Sequence, residues 1–278
     1  MTNEFKNQDL EILVSTMNRN TLDFLIPMFP FCHFSDFSIL IVNQTQENKL
    51  LVSDFPSIRV INSFEKGLSR SRNLALKNAI GKIVLIADDD VVYKKDFDEA
   101  IVRAHHRLGE KAVISFCIEK TNGLLFKKYL ASTKTNLSLM ELFNVLSIEI
   151  SINKSVFDAL QVKFDENFGL GSTFEMGEEA IFLSDLKEQN QQIGFVPIVI
   201  ATHSEISSNE KFDFEQRYYI QGAFLSRVLK TNYFAGLITK LFFELKQKKL
   251  KWKQITLAIS NANQGKKEYY KLKNKSNA

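Results

Sequence analysis

Gly81-Lys82-Ile83-Val84-Leu85-Ile86-Ala87-Asp88-Asp89-Asp90 is the stretch that decides the fold. An unbroken apolar run follows a helix-stopping glycine and ends on three aspartates, which predicts a strand buried on both faces that opens into a polar loop. The pattern recurs upstream. Leu10 to Thr16 runs into Met17-Asn18-Arg19-Asn20, Phe37 to Val42 runs into Asn43-Gln44-Thr45, and Ile58 to Ile61 is a third apolar run. Helical spacing lies between and after them: Thr21 is placed to cap a helix through Met28, Ser69 opens a helix from Arg70 to Ala79, and Phe97 to Arg107 precedes a strand from Ala112 to Ile118. Apolar strands alternating with helices predict an α/β fold, a parallel sheet covered by helices on both faces. Ligands of such sheets collect at the carboxyl ends of the strands. The polar clusters at Asn18, Asn43 and Asp88 fall on that edge.

Downstream the pattern is mixed. Val145 to Ile152 is expected as a strand, with a short helix from Ser155, a glycine-containing loop from Phe168 to Gly177, a helix from Glu178 to Glu188, and a last strand from Ile193 to Ala201 that ends at His203. Beyond about residue 206 the chain turns helical and basic, and Phe234, Leu237, Ile238, Leu241 and Leu245 follow helical spacing. Two units are therefore expected, residues 1–205 and a helical, basic C-terminal extension over residues 206–278.

Composition fits this reading: 278 residues, 45% hydrophobic and 24% charged, describe a globular chain. The two cysteines, Cys32 and Cys117, lie far apart among apolar neighbours and read as free thiols of a reducing compartment. No apolar run reaches the length of a membrane span, and Met1 to Gln8 is polar and unlike a secretion signal, so a cytoplasmic protein is expected. The net charge of +4 is unevenly spread. From residue 228 onward there are 12 Lys and 2 Glu, a balance of +10 that leaves −6 for the preceding residues.

Three adjacent carboxylates repel one another and raise each other's pKa, which a divalent cation would relieve. Mg²⁺ or Mn²⁺ takes carboxylate oxygens and keeps positions for water and substrate phosphates. A solvated acidic loop, or capping of the next helix, would use the same residues. Gly67-Leu68-Ser69-Arg70-Ser71-Arg72-Asn73 offers backbone N–H groups, a capping hydroxyl and two cations suited to phosphate. Capped helices with surface arginines are also common. Glu178 and Glu179 open a helix, either as a general base with its neighbour or as charges that suit a helix N-terminus. His203 ends a strand, in a structural or a ligand role.

As an ordered set, Gly-x-Ser-x-x-Arg-Asn, a helix, Gly81, an apolar strand and Asp-Asp-Asp resemble the nucleotide-sugar-binding half of the family 2 glycosyltransferases of GT-A fold. Phe168-Gly169-Leu170-Gly171, then Gly177-Glu178-Glu179, then His203 resemble its acceptor-side half. The resemblance spans about residues 8 to 205. It implies a GT-A catalytic domain over residues 1–205 and inverting transfer from a nucleotide-diphosphate sugar, UDP-linked by preference, to an acceptor hydroxyl, in bacterial surface polysaccharide or glycoconjugate synthesis. It implies a metal, Mn²⁺ or Mg²⁺, at Asp90 with Asp88 and His203. Donor contacts are implied at Thr16, Arg19, Asn43, Arg72, Asn73, Asp88 and Asp89, and sugar or acceptor contacts at Gly169, Leu170 and Gly171. Glu179 is implied as the base, with Glu178 as the alternative. Asn43 stands where relatives commonly carry an aspartate that reads the base, and Glu178-Glu179 replaces the usual Glu-Asp pair.

That replacement leaves open a non-catalytic nucleotide-sugar-binding subunit of the same fold. A nucleotidyltransferase would need a glycine-rich, basic loop after the first strand, which Met17-Asn18-Arg19-Asn20 does not supply. The basic tail fits a solvated helical face or a peripheral contact with an anionic membrane, near a glycan or lipid-linked acceptor; Tyr233 to Leu250 and Trp252 suit the latter. Nothing in it resembles a nucleic-acid recognition motif, so no nucleic-acid partner is expected.

Overall fold

The computed structural model describes residues 5–204 and 212–276. The chain runs β1 (Leu10–Met17), α1 (Leu25–Met28), β2 (Ser38–Gln44), β3 (Ile58–Ser63), α2 (Leu68–Asn78), β4 (Ile83–Asp88), β5 (Val92–Tyr93), α3 (Phe97–Leu108) and β6 (Val113–Lys120). It continues through α4 (Leu139–Leu142), β7 (Ile150–Asn153), α5 (Lys154–Asp158), α6 (Glu178–Glu188), β8 (Ile193–His203), α7 (Phe214–Leu229), α8 (Tyr233–Lys246) and α9 (Ile255–Ser276). One eight-stranded sheet carries these strands in the order β3-β2-β1-β4-β7-β6-β8-β5. Strand side chains alternate between two cores, as a period of two requires. Ile12 and Val14 face α1 and α3, while Leu13 faces α2 and α6.

The α/β class is as expected, but the sheet is mixed. β1 to β4 are mutually parallel, and so are β6 and β8. β7 runs antiparallel to both β4 and β6, and β5 antiparallel to β8. An apolar run buried on both faces does not encode its direction, so the residues of β7 carried no sign of its antiparallel course. The strand expected from Val145 is also shorter, because Ser147–Glu149 forms a 3-10 turn first. Thr21 caps no helix; its hydroxyl donates to Asp23 Oδ2, and α1 begins only at Leu25. At the productive edge, Thr16 pairs in register with Asn43, and Ser15 with Asp88.

The expected division at residue 205 lies outside the described residues. On either side of it, the helical segment shares a core with the glycine loop and α6. Phe168, Phe174 and Ile181 pack with Ile220 and Ala223 of α7 and Tyr269 of α9. Arg227 of α7 joins Asp165 at 2.9 Å and Asp185 of α6 at 2.6 Å. Helices α7 and α9 approach so closely that a Cβ on Gly222 would lie 1.9 Å from the Ala262 carbonyl oxygen, and one on Gly265 would lie 1.8 Å from that of Tyr219. Backbone cannot yield as a side-chain tip can. Gly222→Ala is therefore expected to cost at least about 1–3 kcal/mol despite its better helix propensity, read as a lowered thermal midpoint.

Candidate active site

The three aspartates that close β4 fan out to three different partners. Asp88 Oδ1 lies 3.2 Å from Arg72 Nη2. Asp89 Oδ2 accepts from Arg19 Nε at 2.9 Å and Nη2 at 2.7 Å, and from the Thr16 hydroxyl. Asp90 Oδ1 lies 3.2 Å from His203 Nε2 at the end of β8. The mutual repulsion expected of the triplet is thus already offset within the chain. The His203 contact lowers the Asp90 pKa, and the same hydrogen bond raises that of His203. Burial raises Asp88, outweighing the pull of Arg72.

Arg72 is the buried centre. Nη1 donates to Glu178 Oε1 at 3.0 Å and lies 3.5 Å from Glu179 Oε1, while Nη2 donates to Ser147 Oγ at 2.7 Å. Its guanidinium sits 5.6 Å from the Phe164 ring centroid. Burial opposes its charge, but Asp88, Glu179 and Glu178 outweigh burial and hold it protonated. One cation cannot neutralise three carboxylates. Glu178 is the most enclosed of them, and burial, reinforced by Glu179, pushes its pKa up to about 8 against the opposing pull of Arg72. Glu179 keeps a side-chain exposure of 19%.

Helix α2 brings Arg72 here because its start is pinned on three sides. Gly67 N–H donates to Gln44 Oε1 at 2.7 Å, Ser71 Oγ donates to Ser15 Oγ at 3.0 Å, and Ser69 Oγ donates to the Phe168 carbonyl at 2.6 Å. Ser69 is therefore a tie to the glycine loop, not the helix cap expected from its position; Gly67 occupies that place with φ of 125°. Leu170 contributes its carbonyl, which accepts from Leu68 N–H at 2.9 Å. Gly169 has φ of 99°, and a Cβ there would lie 3.0 Å from Ser69 Oγ and 3.1 Å from Glu178 Cδ. Only glycine meets both demands without strain.

A cavity of about 160 Å³ opens between these elements. Arg72, Asp88, Glu178, Glu179 and His203 form its polar wall, and Phe126, Leu146, Leu170 and Met176 its apolar one. Thr16, Arg19, Asp89 and Asp90 lie along the adjoining strand edge, while Gly169 and Gly171 shape the loop that carries Leu170. Two residues expected at the donor are engaged within the fold. Asn43 is fully buried, and its amide is spent on Arg19 N–H, the Arg19 carbonyl and Asn62, at 3.0–3.1 Å. Asn73 exchanges two hydrogen bonds with the Phe164 backbone at 2.8 and 2.9 Å. Both are scaffold. Of the lining, Leu170 was expected, whereas Ser147, Phe126, Leu146 and Met176 were not, since a serine in a loop carries no signal of its partner.

For a divalent cation, the donor set offers Asp90 and His203 converging on one point. Among the described residues no group of three His, Cys, Asp or Glu is arranged to hold a metal. A carboxylate and an imidazole suit a cation that completes its shell with water and phosphate oxygens, as Mg²⁺ and Mn²⁺ do.

The family model described as glycosyl transferase family 2 matches residues 33–169. That span includes Arg72 and Asp88–Asp90 and stops short of Glu178, Glu179 and His203. No curated protein matches the chain. Among solved structures it is similar to S. aureus TarS 1-349, at 16% identity and a TM-score of 0.57, covering 92% of this chain and 80% of that one. The same TarS region in complex with UDP-GlcNAc gives 15% and 0.59, covering 91% and 79%. Its complex with UDP gives 17% and 0.52, covering 92% and 80%. These likenesses bear out the GT-A-like α/β fold.

Glu178 supplies a test of this electrostatics. Its raised folded pKa means its contribution to stability is complete below its ordinary value near 4.5 and is lost as pH rises through about 8. Glu178→Gln keeps the Arg72 hydrogen bond and abolishes the titration. The thermal midpoint of the variant relative to wild type is expected to climb by a few degrees between about pH 5 and about pH 9. A constant difference would place an ionised Glu178 beside Arg72 throughout.

Proposed function

We propose, for a chain that carries the glycosyl transferase family 2 core across residues 33–169, that it transfers a sugar from a nucleotide-diphosphate donor to an acceptor hydroxyl with inversion at the anomeric carbon. The observation that carries the reading is the cavity itself, where Glu179 faces inward beside Asp88 at the sheet edge that presents Asp90 and His203. A UDP-linked donor is favoured because the similar TarS structures were solved with UDP-GlcNAc and with UDP.

The roles follow from the charges. Asp90 and His203, with Asp88 nearby, would hold Mn²⁺ or Mg²⁺, which when bound supplies positive charge to the leaving diphosphate. Arg19, fixed by Asp89 and Thr16, stands beside that position. Glu178 is the more enclosed of the two glutamates and burial raises its pKa, so Glu179 is the base. It takes the acceptor hydroxyl's proton as the oxygen attacks the anomeric carbon from the face opposite the diphosphate. One carbon–oxygen bond forms, the bond to the diphosphate oxygen breaks, and the proton resides on Glu179. Arg72 is a positioning residue that fixes both glutamates. The acceptor is a glycan or a lipid-linked saccharide of a bacterial surface polymer or glycoconjugate, met where the basic C-terminal segment touches an anionic membrane.

Two substitutions test the roles. Glu179→Gln should lower turnover by about 100- to 10,000-fold with UDP affinity by calorimetry nearly unchanged; wild-type turnover would reject Glu179 as base. Asp90→Asn should remove the Mn²⁺-dependent part of UDP affinity, and an unchanged metal dependence would reject the cation site. A wild-type protein that binds UDP-GlcNAc and Mn²⁺ by thermal shift, yet releases no sugar to water or acceptor, would return the non-catalytic reading.

A further inference from the structure

Helix α8 is apolar on two sides. Its inward side chains, Tyr233, Leu237 and Leu241, are buried in the C-terminal core. Its outward face carries Phe234, Ile238 and Phe242 at successive intervals of four residues, 58%, 65% and 60% exposed. Side chains so spaced form one stripe. Seven positions of α8 are exposed, and Lys246 is the one charge among them. A solvated helix would carry its polar residues there.

The turn that follows changes character at once. Lys248, Lys249, Lys251 and Lys253 are all exposed, and Trp252 among them is 80% exposed. An indole flanked by lysines is the composition of a membrane–water boundary, where the ring enters the headgroup layer and the ammonium groups meet anionic lipid. α8 has 14 residues, a length of about 21 Å against a hydrocarbon core of about 30 Å. Among the described residues no helix is long and apolar enough to cross a membrane. The stripe therefore suits lying in the interface.

We propose that the outward face of α8, with Trp252 and the lysines of the following turn, is a docking surface for an anionic lipid bilayer. The charge decides the occupant: a second copy would bring the same lysines against these. The inference specifies the membrane contact of the proposed function, but it rests on exposed side chains away from the cavity. Failure of donor binding leaves it standing, and failure of lipid binding leaves the transferase standing.

Trp252 is the only tryptophan in the chain, so the full-length protein reports its own docking. Its emission is expected to shift to the blue, and to be quenched by lipids brominated on the acyl chain, when vesicles of phosphatidylcholine with phosphatidylglycerol are added, but not with phosphatidylcholine alone. Combined Phe234→Ser, Ile238→Ser and Phe242→Ser substitutions should weaken vesicle partitioning at least about tenfold. Each of Lys248→Gln and Lys251→Gln should weaken it by about fivefold, and raised salt should do the same. If the triple variant melts lower than wild type, the lysine variants and the salt series decide. No spectral shift with anionic vesicles, or equal partitioning to neutral ones, would overturn the proposal. So would a lipid-free dimer, seen by sedimentation velocity, that the triple substitution dissolves.

Discussion

A single guanidinium, that of Arg72, sits where four parts of the chain meet: α2, the end of β4, the turn at Ser147 and the start of α6. Its charge cannot leave, because the carboxylates around it stabilise it more than burial penalises it. Nor can the carboxylates separate from it, since each is partly withdrawn from water. The spacing of these segments is therefore set by hydrogen-bond lengths to one planar group, a stiffer constraint than apolar packing imposes. The ties at Ser69, Ser71 and Gly67 only make sense as the means by which α2 delivers that group to its place.

The same constraint gives the acids different surroundings. Asp88, Glu178 and Glu179 share one cation, and burial raises the pKa of Asp88 and of Glu178 against its pull. Asp89 and Asp90, a residue or two further along, escape the competition because Arg19 and His203 serve them separately. A cluster of like charges is thereby divided among three partners, Arg72, Arg19 and His203, drawn from three parts of the chain.

Much of this was legible in the residues. The apolar runs marked seven of the strands that the structure holds, and the aspartates, Arg72, Glu178, Glu179 and His203 stood out by type and order. What sequence could not show was partnership. Three adjacent aspartates look like a charge problem in need of an external ion, whereas the fold brings a different partner to each. Asn43 and Asn73 lie among functional residues, yet their amides are consumed by backbone groups distant in sequence. Ser147 becomes a ligand of Arg72 only because β7 slots antiparallel between β4 and β6. The lysine-rich tail was visible as charge, but which face of α8 it leaves uncovered depends on α7 and α9.

The core shared by the glycine loop and the last helices has a consequence for how the protein is made. Phe168 and Phe174 are locked by Ile220, Ala223 and Tyr269, of which the last is synthesised about a hundred residues after the loop. At ribosomal rates of about 5–20 residues per second, the sheet edge with its aspartates is complete many seconds before Gly169 and Glu178 can be held in register with it. During that interval a nascent chain presents the aspartate edge while Glu178 and Glu179 are not yet held opposite it. The second wall of the cavity is thus organised only once α7 and α9 have been made.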